Sequence, residues 1–325
     1  MALESAPALE SAPALESAPG PDGGLRLRWR PPFAVDVRLT LAVHRRGGGD
    51  PAYRVDAAGA VWRTSLTPDG PGTVRVASGG GGAVVTGQAW GPGAGWLLDR
   101  LPAQLGAHDD PSGLVARHAA LGELVLRHPN FRVGRTERVF EALVPAVLEQ
   151  KVVGQEAHRA WRILLRGFGE PAPGPAPQGM RVCPPPPVWA RIPSWDWHRA
   201  GVEGVRARTI MAAARLAGRL EQVTGIDPAQ ADRLLRSVPG IGPWTSAEIR
   251  QRAAGDPDAV SVGDYHLPKL VGWTLAGRIA DDAGMLELLA PYAGHRYRVT
   301  RLIELGGSAP PRRGPRLPVR DYRAF

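Results

Sequence analysis

One aspartate in this chain stands where a single carboxylate could do chemistry. Asp264 lies in the stretch VGDYHLPKL, at the mouth of a predicted helix. The positive end of a helix favours an ionised carboxylate. Such a group can stabilise a developing positive charge and align a water molecule. A plain helix cap would use the same residue in the same place, so the residue alone leaves both readings open. Upstream stands Val238-Pro239-Gly240-Ile241-Gly242. Its two glycines permit a sharp turn, and Pro243 opens a helix behind it. Amides at such a turn point outward and can bind phosphate without a side chain. Taken alone, the pentapeptide also suits an ordinary corner between two helices.

The totals narrow the chemistry. The chain has 325 residues and a formal net charge of +9, enough for two or three domains and suited to a polyanionic partner. The basic residues are almost all arginine; Lys151 and Lys269 are the only lysines, so only two side chains could form a Schiff base. Cys183 is the only cysteine. That excludes an intrachain disulfide, a CxxC zinc site and a four-cysteine iron–sulfur cluster, and the expected compartment is the reducing cytoplasm, at the nucleoid. No run of apolar residues is long enough to span a membrane, and no basic-then-apolar signal pattern opens the sequence. His108, His118 and His128 have no local ligand spacing, and no P-loop, dinucleotide fingerprint or nucleophile elbow is present.

The elements that must position Asp264 follow from periodicity. Residues 1–24, dominated by three copies of Ala-Leu-Glu-Ser-Ala-Pro, are expected to be an unstructured tail. Residues 25–106 carry short β-rich runs at Tyr53–Val55, Val61–Leu66, Thr73–Ala77 and Val84–Trp90, separated by glycine-rich turns. They predict a small antiparallel sheet, closed by a helix over Trp96–Leu105. Phe33–Val43 fits a short helix or a strand. Residues 107–305 predict a helical core, beginning with a helix over Leu114–Arg127 capped by Ser112 and interrupted by a proline-rich linker at residues 170–187. Asp227-Pro228 starts the helix before the glycine turn. Residues 306–325 form a Pro- and Arg-rich tail. The fold class is α+β, mainly α: two helical lobes with an N-terminal antiparallel sheet domain.

Two pieces of this sequence, VPGIGPWTSAEI and VGDYHLPKL, resemble the helix-hairpin-helix/Gly-Pro-Asp DNA glycosylase superfamily, and within it the bacterial alkylpurine (3-methyladenine) DNA glycosylases. The resemblance is specific over Leu234–Leu270, extends in outline over most of Leu25–Leu305, and covers neither tail. It implies duplex DNA with alkylated bases as partner, base excision by a monomer, and Asp264 as the catalytic carboxylate. It places Val238, Gly240, Ile241, Gly242 and Thr245 at the DNA. It also implies a monovalent cation, Na+ or K+, on hairpin carbonyls such as those of Val238 and Gly240, with no other cofactor. Lyase members carry a lysine where this chain has Trp244, so hydrolysis by water is expected. An extruded cationic base needs π surface; Trp244 and Tyr265 are the first candidates, and Tyr292 matches a pocket-wall aromatic. Gln150-Lys151 aligns with the loop that plugs the gap left by the flipped base, where the family has an apolar or amide side chain; either residue could plug it. Glu248 departs from the family, which has an aromatic there; its charge suits a cationic base or a solvated face. A non-catalytic hairpin module that binds damaged DNA is the alternative reading.

Overall fold

The computed structural model describes residues 23–311, and the backbone of residues 16–19. The expectations for residues 1–15, 20–22 and 312–325 lie outside the described residues. Six antiparallel strands run in the order β1-β2-β6-β5-β4-β3. They are β1 (Glu16–Pro19), β2 (Leu25–Trp29), β3 (Tyr53–Val55), β4 (Val61–Thr67), β5 (Gly70–Gly79) and β6 (Val84–Trp90). Two strands go beyond expectation. In β2, Leu27 and Trp29 are buried while Arg26 and Arg28 are exposed, the period-two pattern of a half-buried strand. β1 corrects the reading of residues 1–24 as wholly unstructured: residues 16–19 pair with β2 from Glu16 opposite Arg28 to Pro19 opposite Leu25. An open sheet edge recruits backbone, so the pairing needs no large side chains. The inner face packs Leu27, Trp29, Val61, Val76, Leu97 and Leu101 into one cluster, against helices Ala94–Asp99 and Leu101–Gln104. The Phe33–Val43 segment resolves as a short helix, Val37–Leu41, capped by Asp36.

The helical part has two apolar clusters. One joins helices Val139–Leu148, Gly154–Phe168, Gly204–Arg215 and Pro228–Arg236 around Leu143, Leu164, Trp189 and Ile210. The other joins Ala119–Arg127, Leu267–Ala276, Asp282–Leu289 and Arg296–Gly306 around Leu121, Val271, Leu289 and Val299. The helix expected from Leu114 begins only at Ala119. Asp110 accepts from the Ser112 amide, the Arg117 amide donates to the Tyr292 hydroxyl, and His118 is extended; these contacts replace the first turns. The proline-rich stretch folds onto the sheet: Glu170–Pro171 pairs with Arg181–Val182, and Met180 packs against the stacked rings of Trp62 and Trp90. Among the described residues, no helix is long and apolar enough to cross a membrane.

Candidate active site

The hairpin joins helix Pro228–Arg236 to helix Pro243–Ile249. Asp227 caps the first by accepting from the amides of Ala229 and Gln230 at 2.9 and 3.2 Å. The turn then depends on Gly240, whose φ is +91°. A Cβ added there would lie 2.0 Å from the Thr209 hydroxyl oxygen, so no larger residue fits. The Ile241 amide closes the turn onto the Val238 carbonyl at 3.1 Å. Among the described residues, the amides of Gly240 and Gly242 donate to no protein acceptor, and Gly240 is exposed. Free amides at a helix start can bind an anion in physical terms.

Three donors converge on Asp264. Its Oδ1 accepts from the amides of His266, the cap of helix Leu267–Ala276, and of Leu267 at 2.7 and 2.8 Å. Its Oδ2 accepts from the Trp244 indole Nε1 at 3.1 Å. Asp264 is therefore both tied to the helix start and half-buried, with Tyr265 beside it 66% exposed. Trp244, expected only as a stacking surface, holds the acid in place as well. Hairpin and carboxylate are thus joined by one hydrogen bond.

Other expected residues stand differently. Tyr292 is buried in the helical core, with its hydroxyl held by the Arg117 amide and the His118 ring; burial pushes its phenol up, and it forms no open pocket wall. Tyr265 is exposed, with the Lys269 ammonium 3.6 Å from its ring centroid and the His266 ring edge-on at 4.8 Å. Glu248 meets neither expectation. One carboxylate oxygen accepts from the Ser261 hydroxyl at 2.6 Å, the other pairs with Arg252 at 2.7 Å. Its charge meets neither a base nor solvent but the side chains four and thirteen residues further on. Val238 and Ile241 turn their side chains into the core, so only their backbone can face a strand. Thr245 is 2% exposed, and its hydroxyl accepts from Gln150.

That contact separates the two plug candidates. Gln150 Nε2 donates to the Gly240 carbonyl at 2.9 Å and to Thr245 Oγ1 at 2.8 Å, so its amide braces the hairpin. Lys151 is exposed and occupies the left-handed region at φ +54°, which is rare for a residue with a Cβ. Just before them, Glu149 ion-pairs with Arg46 at 3.7 Å and lies 3.6 Å from the His158 Nε2. Burial alone would raise this carboxyl, but Arg46 leads the groups that bring it down to about 2. Of the hairpin carbonyls named for a cation, that of Val238 accepts from the Ile241 amide and that of Gly240 from Gln150 Nε2, one hydrogen bond each.

Sequence reasoning missed Arg252, Gln251 and Ser261. Gln251 donates to the Ala259 carbonyl at 2.8 Å and to Ser261 Oγ at 2.9 Å, and Arg252 donates to the Val43 carbonyl at 3.1 Å. A polar run after a helix reads as solvated surface; only the tertiary fold shows it turned inward.

No protein-family model matches the sequence. Over 163 residues, 49% of this chain, it is 33% identical to a curated protein of Mycobacterium tuberculosis described as a probable bifunctional transcriptional activator/DNA repair enzyme AlkA. The chain spans about a third of that relative's length, 32%. Among solved structures, a 3-methyladenine DNA glycosylase from Archaeoglobus fulgidus superposes with a TM-score of 0.70 at 18% identity, covering 85% of this chain and 97% of that one. An 8-oxoguanine glycosylase/lyase from Clostridium acetobutylicum gives 0.67 at 12% identity, covering 89% and 97%. The fold is that of the helix-hairpin-helix DNA glycosylases. The match to AlkA bears out the resemblance to their alkylpurine branch.

Proposed function

We propose that this chain is a monofunctional DNA glycosylase that excises N3- or N7-methylated purines from duplex DNA, acting as a monomer in base excision repair. A methylated purine carries a positive charge and leaves readily. The C1′–N bond breaks, its electron pair neutralises the base, and positive charge develops on the deoxyribose. Asp264 faces that charge and orients the water that adds to C1′, while the released proton passes to solvent. Glycosidases commonly use two carboxylates, one to protonate the leaving group; a cationic base needs no such acid.

The observation that carries this reading is the Trp244–Asp264 contact at 3.1 Å, which puts an aromatic and a carboxylate together directly behind the hairpin. Trp244 also stands where a lyase would need a lysine. Neither lysine stands there: Lys269 lies over Tyr265 and Lys151 is at an exposed turn. Gly240 and Gly242 grip phosphate through backbone, and Lys151 enters the gap left by the flipped base, its stem among bases and its ammonium near phosphate.

The test is incubation with dimethyl-sulfate-methylated duplex DNA. Wild type is expected to release 3-methyladenine and 7-methylguanine without cutting the backbone. Asp264→Asn should slow release by roughly 10²–10³-fold, the range for removing one electrostatic group, and still bind DNA. Binding without release by wild type would overturn the enzymatic reading in favour of a non-catalytic module. Strand cleavage without alkali would overturn the monofunctional one.

A further inference from the structure

The loop between the second hairpin helix and Asp264 is fastened along its length. Asp256 pairs with Arg250, the Ala259 carbonyl accepts from Gln251, and the Ser261 hydroxyl donates to Glu248 while accepting from Gln251. The Asp264 amide donates back to the Ser261 carbonyl at 3.3 Å. All these partners come from Glu248–Arg252, where helix Pro243–Ile249 widens into a π-turn over Arg250–Ala254. The widened turn leaves carbonyls free for other partners. That of Arg252 accepts from the Thr136 amide at 3.0 Å, and that of Ala253 from the Glu137 amide at 3.0 Å. Glu137 there sits at φ +55°.

Glu248 is the joint of this assembly. Its side chain is 13% exposed, and that of Arg252 is 14% exposed. Burial works most strongly against the Arg252 charge, but Glu248, Tyr297 and Glu149 together hold the guanidinium above its ordinary value. The same guanidinium donates to the Val43 carbonyl, at the end of the helical segment that follows β2. A continuous line of contacts therefore runs from the sheet domain through Val43, Arg252, Glu248 and Ser261 to Asp264.

We propose that Glu248 is a positioning residue for Asp264: through Ser261 it fixes the height of the carboxylate, and through Arg252 it references that height to the sheet domain. This rests on Asp264 being the catalytic carboxylate. The physical reason is that a carboxylate acts on a fleeting charge only from a set distance, and a misplacement of about 1 Å costs on the order of 10²-fold in rate. Trp244 holds one oxygen laterally and the helix amides hold the other; the loop itself is held by Arg296 at Asp258, by Asp282 at the Gly263 amide, and between them by Glu248 at Ser261.

The test is single-turnover base release from dimethyl-sulfate-methylated duplex DNA, read beside affinity for a duplex bearing a tetrahydrofuran abasic analogue. Ser261→Ala should slow release roughly 10-fold and Glu248→Gln somewhat more, with affinity within about 2-fold of wild type. The double variant should be no slower than the slower single, because both act through one contact. Amide hydrogen exchange over residues 259–264 should rise at least about 5-fold in each variant. Ser261→Ala leaves the Glu248–Arg252 pair intact and decides the matter alone if Glu248→Gln fails to fold. Wild-type rates in Ser261→Ala, multiplicative losses in the double variant, or parallel losses of rate and affinity would each overturn the proposal. Inactive wild type, or an active Asp264→Asn, would instead bring down the catalytic reading and this proposal with it; full activity of Ser261→Ala beside a dead Asp264→Asn overturns the positioning alone.

Discussion

The loop that delivers Asp264 and the turn at Gln150-Lys151 both meet the hairpin, one at Trp244 and the other at Gly240 and Thr245, and they are built in opposite ways. The first is anchored by side chains at Asp256, Ala259 and Ser261, and its terminal carboxylate accepts three hydrogen bonds. The second has one brace, the Gln150 amide, and then a lysine held in a left-handed conformation with its side chain outside. The contrast matches two tasks. A carboxylate that meets a transient charge must already be in place. A wedge that enters a base stack has to match a duplex that deforms as it binds, so its backbone is set and its side chain is left free.

Substitutions can break or sharpen that contrast. The largest effect is expected on the anchored side. Trp244→Phe keeps a ring but removes the indole donor to Asp264; a hydrogen bond to a charged group contributes roughly 1.5–3 kcal/mol, so base release should slow about 10–100-fold with duplex affinity little changed. Equal losses in both would show that Trp244 serves packing instead. On the other side the order should invert. Lys151→Ala should weaken binding to an abasic-analogue duplex by roughly 10-fold and flatten the salt dependence by about one phosphate contact, with a smaller effect on the chemical step once DNA saturates. An unchanged salt slope would remove Lys151 from the interface. Gln150→Ala breaks two neutral hydrogen bonds, each contributing roughly 1 kcal/mol, and should lower affinity several-fold. If it slows release at saturating DNA instead, the brace belongs to the catalytic side.

The smallest effect is a pH response. The Glu149 carboxyl is held at about 2 in the folded chain against an ordinary value of 4.5. A depressed folded value means that Glu149 stabilises the fold fully above pH 4.5 and that this contribution is lost as pH falls toward 2. Glu149 adjoins Gln150, so amides of residues 149–153 should gain exchange in that window, and Glu149→Gln should abolish the response. A response of equal size in Glu149→Gln would assign it to another carboxylate.

Much of this was legible in the sequence wherever a local rule governs. Asp227-Pro228, the Gly-Ile-Gly turn and Pro243 fixed the hairpin helices, because caps and turns need specific residue types at specific offsets. Four of the sheet strands were readable from apolar runs between glycine turns. Asp264 and Trp244 were found through a motif, but not the hydrogen bond between them. What could not be read depends on contacts distant in sequence. The Tyr292 hydroxyl meets Arg117 and His118 across a core, which turned a presumed pocket wall inward. Glu248 read as facing a cationic base or solvent, because its bond to Ser261 depends on how the loop thirteen residues on folds back. Gln150 and Lys151 read alike from sequence because the bond from Gln150 to the Gly240 carbonyl spans 90 residues.

Gly240 has a wider consequence. The space its missing side chain leaves is filled by Thr209, and its carbonyl is the acceptor that Gln150 uses. The separation between the phosphate grip and the lysine tip is therefore calibrated by an atom that is not there. An alanine at this position would do more than strain one turn: it would press the hairpin against Thr209 of the neighbouring helix and shift, in one step, the free hairpin amides relative to Lys151.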